Sequence, residues 1–259
     1  PTPMVFFFHG TMGIAAQYDV WLPEFRALAD AAIAHLPTEV TGTVFAEDGE
    51  TPAAGVTVYA YMTHVPAAAW GPDWLRGGGA NVRFRSPIFD HDLVNYVPTA
   101  AGRNSGTVQA QVGGVMRSAC TVARVGSPPE RCTGVGEQLV PIEFVADESW
   151  ATYATRAGDN LPIYTDDQIL HPVTWMRIAN QFFHEQIVTG SWIHVRSHLL
   201  HHGIARFGAT LEATAVVVDR FDSRAGERAI LDVRINADGQ PVATYEHEAI
   251  VQLAEDVGS

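Results

Sequence analysis

A short acidic stretch in the second half of the chain contains residue types that can transfer protons. It reads RAGDNLPIYTDD, from Arg156 to Asp167, and it precedes an apolar run. Asp159 offers a carboxylate, and Tyr164 offers a hydroxyl that is a better donor than base because its ordinary pKa is ~10. His171 follows, and its ordinary pKa of ~6.5 suits acid–base catalysis at neutral pH. The stretch is therefore either an acidic surface turn or the edge of an active site.

Each of these three residues also has a purely structural interpretation. Asp159 is either a base in an apolar site or a residue that caps a turn through its carboxylate. Tyr164 either orients a substrate oxygen or packs its ring under a helix. His171 either assists proton transfer or is a neutral histidine hydrogen-bonded to backbone at the start of a helix. The residues alone leave these alternatives open.

The segment HVRSHLLHH contains four histidines, which suggests a metal site. On a strand His194, His198 and His202 would share one face, but alternate strand residues are ~7 Å apart, so the first and last cannot bind one ion. No carboxylate stands at ligand spacing, and we expect no metal. Arg83 and Arg196 each follow a valine near the start of a predicted strand. They either contact phosphates of a coenzyme or carrier arm, or only solvate an edge.

The composition excludes several classes of function. The chain has 259 residues, 47% of them hydrophobic and 17% charged, which is enough apolar material for a sizeable core. The formal net charge of -13 argues against nucleic acid or an anionic membrane as the main partner. All 16 basic residues are arginines, so Schiff-base, pyridoxal-phosphate and phosphate-loop lysines are excluded.

The remaining global features favour a cytoplasmic protein. The first residues, PTPMVFFFHG, include no basic leader and no small-residue cleavage site, and no apolar run approaches the ~20 residues of a membrane span. Cys120 and Cys132 are too few for a disulfide framework, so we expect a reduced cytosolic pair.

The second half has the pattern of one helix followed by antiparallel strands. After Leu170, apolar residues recur at helical spacing, and further apolar residues on the flank predict a helix buried on most sides. The face is formed by Val173, Met176, Ala179, Phe183 and Ile187. Residues 209–221 and 227–235 are rich in β-branched residues or alternate, and NADG at 236–239 predicts a hairpin turn into the last strand.

The first half repeats this order of elements. Met12–Asp19 aligns with Met176–Phe183, and Gly106–Val125 reads as two strands joined at Gly113–Gly114. Residues 40–62 predict an inserted hairpin of two strands. Gly126–Gln138 is rich in Gly and Pro and predicts a linker. We therefore expect an N-terminal half at 1–130 with that insertion and a C-terminal half at 138–259 that carries the site.

The motif residues resemble those of the MaoC-like, R-specific enoyl-CoA hydratase and dehydratase family. In that family an aromatic residue precedes G-D-x-N-P-x-H-x-D, and five residues occupy matching positions here. They are Tyr153, Gly158, Asp159, Pro162 and Asp166. ILHPVTWM at 169–176 is similar to the family's I-x-H-G-M segment at the start of the central helix, and FGATLEATAVVV at 207–218 to its glycine-acid-leucine strand. The resemblance implies an α+β double hot-dog fold, in which two repeats each wrap an antiparallel sheet around a central helix.

This sequence departs from the family at the positions that carry catalysis. The histidine of the family's Asp–His dyad is Tyr164, and the glycine whose N–H polarises the thioester carbonyl is Pro172, which has no N–H. General acid–base catalysis contributes ~10²–10⁴-fold in rate. One oxyanion donor contributes another ~10²–10³ in measured cases. Ordinary hydration would be slow unless other residues compensate.

The resemblance implies a lyase that acts on an acyl thioester or polyketide-like chain by elimination, hydration or cyclisation. The candidate catalytic residues are Asp159, Tyr164 and His171. The candidate substrate-binding residues are Asn160, Pro162, Trp175 and Arg196. No metal or redox cofactor is expected; coenzyme A or an acyl carrier protein would carry the substrate, and the chain would be a monomer or homodimer.

Two other functions fit the altered motif. The chain would be a catalytically degenerate hot-dog protein that binds a hydrophobic ligand or partners an active subunit, because both the histidine and the glycine are missing. Alternatively it would be a hot-dog thioesterase, with Asp159 or Glu185 placed against a water molecule.

Overall fold

The structure, a computed structural model, describes residues 4–6, 40–42, 55–89, 92–147, 150, 154 and 159–254. The helices with defined bounds are α1 Gly55–Trp70, α2 Pro72–Gly77, α3 Pro162–Thr165 and α4 Val173–Gln186. The strands of the first half are β1 Met4–Phe6, β2 Val40–Gly42, β3 Gly79–Phe84, β4 Val94–Ala101, β5 Ser105–Val112 and β6 Val115–Ala123. The later strands are β7 Glu137–Gln138, β8 Ile142–Val145, β9 Ile193–His201, β10 Thr210–Ser223, β11 Gly226–Ala237 and β12 Gln240–Leu253.

Ten strands form one antiparallel sheet that runs through both halves. The order is β4-β5-β6-β3-β9-β12-β11-β10-β7, and β8 also pairs with β10. The halves meet where β3 pairs with β9, a junction that we call the seam. Outward from the seam the first half has the order β3, β6, β5, β4 and the second has β9, β12, β11, β10. The two halves therefore have the same topology, as the predicted repeat requires.

Helices α1 and α4 pack against each other and against the sheet. α1 contacts β5 and β6, and α4 contacts β10, β11 and β12. Four residues of the predicted face, Val173, Met176, Ala179 and Phe183, are buried in α4, and the fifth, Ile187, is half-buried just past its end; Ile178 and Phe182 on the flank are also buried, which confirms a helix that is buried on most sides. Removing a buried Phe side chain such as Phe182 typically costs ~3–5 kcal/mol of stability, so this helix anchors the core of its half.

Both predicted hairpin turns are present. Gly113 and Gly114 join β5 to β6 with φ of 57° and 79°, and Asp238 and Gly239 join β11 to β12 with φ of 49° and 74°. Two consecutive residues with positive φ form the type I′ turn, whose twist matches that of paired strands. Gly, Asp and Asn adopt this conformation most readily, so these turns were predictable from local sequence.

Residues 40–62 were predicted to form a hairpin of two strands, and the prediction of the second strand is wrong. Val40–Gly42 is a strand, paired with Met4–Phe6, but Gly55–Met62 forms the first part of α1. Val56, Thr57 and Val58 are β-branched and suggest a strand. The whole segment is apolar, however, and such a helix is stable when its surroundings bury it on most sides. The repeated segment Met12–Asp19 lies outside the described residues.

The helices whose bounds the structure describes include none that is long and apolar enough to cross a membrane. Cys120 and Cys132 are both free thiols.

Candidate active site

Asp159 lies buried three residues before the start of α3. Its side chain is only 4% exposed, although a carboxylate is costly to remove from water. The N–H of Leu161 donates to Asp159 Oδ1 at 3.3 Å, so the carboxylate also caps its own turn. Asp159 therefore both caps a turn and lies in the core. The cap uses only Oδ1, so Oδ2 is available for another contact.

Two histidines from opposite halves of the chain complete the environment of this carboxylate. His171 Nε2 lies 3.3 Å from Asp159 Oδ2, and His64 Nδ1 lies 3.0 Å from Asp159 Oδ1. His171 lies two residues before α4, whereas His64 belongs to α1. The packing of α1 against α4 therefore brings together residues that are 95 positions apart in sequence.

The hydrogen bonds fix the tautomers of both histidines. The N–H of Val173 donates to His171 Nδ1 at 3.2 Å, so the ring proton of neutral His171 is on Nε2, which donates to Asp159. An ionised carboxylate only accepts, so His64 must donate from Nδ1. The lone pair of neutral His64 is then on Nε2, which is buried and has no hydrogen-bond partner among the described residues. His64 is held by one nitrogen and has an available base at the other.

The histidines keep Asp159 ionised. Burial on its own would raise the pKa of Asp159, but the charge of His64 and the hydrogen bonds from His171 and His64 outweigh it and hold that pKa below its usual range. Asp159 is thus a fixed negative charge and acceptor at neutral pH. It is a poor proton donor, and its position suits it to orient His64.

Tyr164 lies beside this group as a neutral hydroxyl. It belongs to α3, its ring centroid is 4.7 Å from that of His171, and its side chain is buried. Burial, and then the charge of Asp159, raise the pKa of Tyr164 well above its ordinary value. Its hydroxyl has no hydrogen-bond partner among the described residues, so it retains a free donor.

The first turn of α4 offers no free backbone N–H to a ligand. Pro172 has no N–H, the N–H of Val173 is bound to His171 Nδ1, and the N–H of Thr174 donates to the His171 carbonyl at 2.9 Å. Trp175 N–H donates to the Pro172 carbonyl at 3.3 Å. Helix N-termini commonly bind anions through such N–H groups, but here they are satisfied internally.

The other predicted site residues differ in their burial. Asn160 and Pro162 are exposed, and Trp175 is buried in α4. Tyr153 and Gly158 of the motif lie outside the described residues. Glu185 is exposed and accepts a hydrogen bond from Gln181 Nε2 at 2.9 Å, so it is not placed to activate a buried water.

Arg196 is engaged by carboxylates rather than free to meet a phosphate. Its Nη2 lies 2.6 Å from Glu246 Oε1, and its Nε lies 2.5 Å from Glu248 Oε2. These ion pairs connect β9 to β12 on the side of the sheet away from the helices. The contacts of Arg196 do not favour the prediction that it binds substrate, because two of its three guanidinium nitrogens already bind carboxylates.

His194 and His198 of β9 do not lie on one face of the strand, contrary to the prediction. Val195 is an extra residue opposite the Glu248–Ala249 step, and the bulge turns His194 to the buried side. His194 Nε2 is 2.8 Å from Ser197 Oγ, which is 2.6 Å from His247 Nδ1. Burial lowers the pKa of His194 to about 3, so it is neutral. These residues form a buried polar cluster within the core.

His64 is the site residue that sequence analysis missed. A single histidine within the apolar segment VYAYMTHVPAAAW of α1 was the available signal. A buried histidine needs a hydrogen-bond partner, and such a residue between hydrophobic neighbours indicates a long-range polar contact.

Comparisons with known proteins identify the fold. No family model matches the sequence, and no curated protein matches it. A solved protein from Chloroflexus aurantiacus that is named as a MaoC-domain dehydratase is 10% identical; the match covers 98% of this chain and 96% of that one, with a TM-score of 0.55. Another, named as a MaoC-like dehydratase, is 14% identical over 98% of this chain and 96% of that one, with a TM-score of 0.54.

Proteins named as thioesterases have similar structures over a smaller share of this chain. One from Lactobacillus plantarum, named as an oleoyl thioesterase, is 11% identical over 82% of this chain and 93% of that one, with a TM-score of 0.52. These likenesses, together with the mirrored strand order around two central helices, confirm the resemblance at the level of the fold. This chain has the α+β double hot-dog fold of the MaoC-like dehydratases.

Proposed function

We propose that this protein is a lyase of the hydratase or dehydratase type that acts on an acyl thioester or polyketide-like substrate. The observation that carries the proposal is the buried contact between His64 Nδ1 and Asp159 Oδ1, which leaves His64 Nε2 as a base without a hydrogen-bond partner among the described residues. An ionised carboxylate that orients a histidine and stabilises its protonated form is a recurring arrangement in enzymes that transfer protons. The fold contributes a site at the junction of its two halves.

In this proposal His64 Nε2 moves the proton. In the elimination direction it takes a proton from the carbon next to the substrate carbonyl; in the hydration direction it takes one from water. The imidazolium that forms is stabilised by the charge of Asp159, 3.0 Å away. Asp159 is then a positioning residue, and His64 performs the acid–base step that a histidine at position 164 would otherwise perform.

Tyr164 supplies the second group that the reaction needs. Elimination breaks a carbon–oxygen bond, and the leaving hydroxyl must receive a proton to depart as water. The raised pKa of Tyr164 keeps its hydroxyl protonated, so it hydrogen-bonds the substrate carbonyl oxygen or the departing oxygen without ionising, and the proton that leaves with the hydroxyl is the one that His64 removed from carbon. A side-chain donor suits this site because the N–H groups of Val173 and Thr174 are already bound.

A thioesterase is the second candidate function. The likeness to a protein named as an oleoyl thioesterase favours it, and His64 Nε2 could equally activate water for attack on a thioester carbonyl. The two functions differ in their products: hydrolysis releases a free thiol, whereas hydration leaves the thioester intact.

The test incubates the purified chain with saturated, 2-enoyl and 3-hydroxyacyl thioesters. Mass spectrometry follows the gain or loss of water, and a thiol reagent follows hydrolysis. We expect interconversion of enoyl and hydroxyacyl forms, with loss of activity in Asp159→Asn and full activity in His184→Gln, a change at an exposed histidine of α4. Release of thiol alone would establish the thioesterase, and binding without chemical change would establish a degenerate binding protein.

A further inference from the structure

Three arginines of the first half lie together on the side of the sheet away from the helices. Arg83 is in β3, Arg85 follows that strand, and Arg117 is in β6. Arg83 and Arg85 are exposed and Arg117 is half-buried. We call these three residues the arginine patch.

The strand register places the members of the arginine patch next to one another. Phe84 is opposite Ser118, and the N–H of Arg85 donates to the Arg117 carbonyl at 2.8 Å, so Arg85 and Arg117 are cross-strand neighbours. Directly opposed side chains on neighbouring strands have Cβ atoms roughly 5 Å apart. Arg83 and Arg85 are two residues apart, which places them on one face about 7 Å from each other.

Among the described residues the arginine patch has no carboxylate partners, unlike other arginines of the same sheet. Across the seam Arg83 faces Arg196, whose charge is compensated by Glu246 and Glu248. In contrast, no Asp or Glu among the described residues forms an ion pair with Arg83, Arg85 or Arg117. Like charges that face each other across strands are destabilising, so this arrangement has a cost in folding unless an anion offsets it.

Arg117 has a donor that is ready for such an anion. Its Nη1 lies 3.5 Å from Ser86 Oγ, whereas its buried Nε has no hydrogen-bond partner among the described residues. A buried donor without a partner is uncommon in folded proteins and often marks the place of a missing ligand or ion.

We propose that the arginine patch is a binding site for a phosphate-bearing ligand. Arginine binds phosphate with paired, charge-assisted hydrogen bonds and cannot lose its charge at neutral pH. The chain's net charge of -13 repels long polyanions, which favours a small phosphate group over nucleic acid. Where the phosphate belongs to the coenzyme A or carrier protein that holds the acyl group, this assignment rests on the proposed function.

The first experiment measures binding without using activity. Inorganic pyrophosphate is titrated by calorimetry into the wild type and into the triple variant Arg83→Gln, Arg85→Gln, Arg117→Gln. The control variant removes the same charge elsewhere, at Arg131, Arg220 and Arg224. We expect the patch variant to bind about tenfold or more weakly and the control to bind like the wild type, since charge-assisted bonds are the stronger ones. Equal binding by the two variants, or none by the wild type, overturns the proposal.

The second experiment identifies the source of the phosphate. One acyl group is offered as its coenzyme A thioester, on an acyl carrier protein, and as its N-acetylcysteamine thioester, which has no phosphate. We expect the patch variant to raise KM for one phosphate-bearing substrate by about tenfold with kcat unchanged, and to leave the N-acetylcysteamine thioester unaffected. If every thioester is inert in the wild type, the proposed function fails, and the pyrophosphate titration still decides whether the arginine patch binds phosphate.

Discussion

His64 Nδ1 and Asp159 Oδ1 are 3.0 Å apart and belong to different halves of the chain. The contact joins the middle of one central helix to the loop that precedes the other. It places an ionised carboxylate behind a histidine whose second nitrogen is buried and has no hydrogen-bond partner among the described residues. The hydroxyl of Tyr164 has none among them either, so the site offers a free imidazole nitrogen and a separate hydrogen-bond donor.

Replacing His64 with Asn should abolish most activity and leave the fold intact. The Asn amide can still donate to Asp159 from near the position of Nδ1, but it has no base at the position of Nε2. We expect kcat to fall by about 10²–10⁴-fold, the usual contribution of general acid–base catalysis. Thermal unfolding checks the fold, and His184→Asn serves as the exposed control. Undiminished kcat in the His64 variant would remove this residue from the mechanism.

Two substitutions at His171 separate its contacts. His171→Gln keeps a donor near the position of Nε2 for Asp159, whereas His171→Asn keeps a partner for the Val173 N–H and loses that donor. Loss of the donor raises the pKa of Asp159, because one of the interactions that hold it low is gone. We expect the carboxyl carbon of Asp159, followed by NMR during an acid titration, to protonate at higher pH in the Asn variant and at a nearly unchanged pH in the Gln variant. Identical titrations would mean that His171 does not stabilise the ionised Asp159.

Tyr164→Phe should change activity and stability in different ways. The ring contact with His171 is retained, and the lost hydroxyl has no partner in the described residues, so stability should stay the same or rise slightly. Activity should fall by about 10²–10³-fold if the hydroxyl is the donor to substrate oxygen. Urea unfolding and kcat measured on one preparation provide the comparison. A variant that is less stable but fully active would show that the hydroxyl is structural.

His201 should make the protein less stable as the pH falls. It is buried against Trp74, neither ring nitrogen has a hydrogen-bond partner among the described residues, and burial, with a smaller effect of His202, lowers its pKa to about 3. In the unfolded chain its pKa is ~6.5. Between these values the unfolded state binds a proton that the folded state does not, so stability decreases as the pH is lowered through this range.

His201→Leu removes both this proton linkage and an unsatisfied buried group. We expect the free energy of unfolding to rise, and to rise more at about pH 5 than at about pH 8, in urea titrations. His202→Leu, at the exposed neighbouring position, should change stability little at either pH. A gain that is the same at both pH values would argue that His201 binds its proton equally well in the folded and the unfolded protein.

Elements with a strong local pattern were predictable from sequence, and α1 was not. The spacing of Val173, Met176 and Phe183 gives α4, and the Gly113–Gly114 and Asp238–Gly239 pairs give the hairpins. In α1 the β-branched residues and Pro66 oppose a helix, and burial between the sheet and α4 outweighs them. Propensity is a weak guide where tertiary packing surrounds a segment on all sides.

The candidate site was predictable only in its local part. Asp159, Tyr164 and His171 lie within 13 positions of one another and are recognised by their spacing. His64 reaches them through the packing of two helices, and one sequence contains no direct sign of which distant residue fills a buried contact. The charge state of Asp159 follows from that contact, so the division of roles between Asp159 and His64 required the structure.

The seam has a consequence for any attempt to divide the chain. If the halves were separated at residues 126–138, β3 and β9 would each become an exposed strand edge, with a row of unsatisfied backbone groups that favours aggregation. The same cut would leave Asp159 in one fragment and His64 in the other. Solubility and the His64–Asp159 contact thus depend on the two halves staying together through the β3–β9 pairing and the packing of α1 against α4, and recovery of both on mixing the fragments would report that the halves had re-associated.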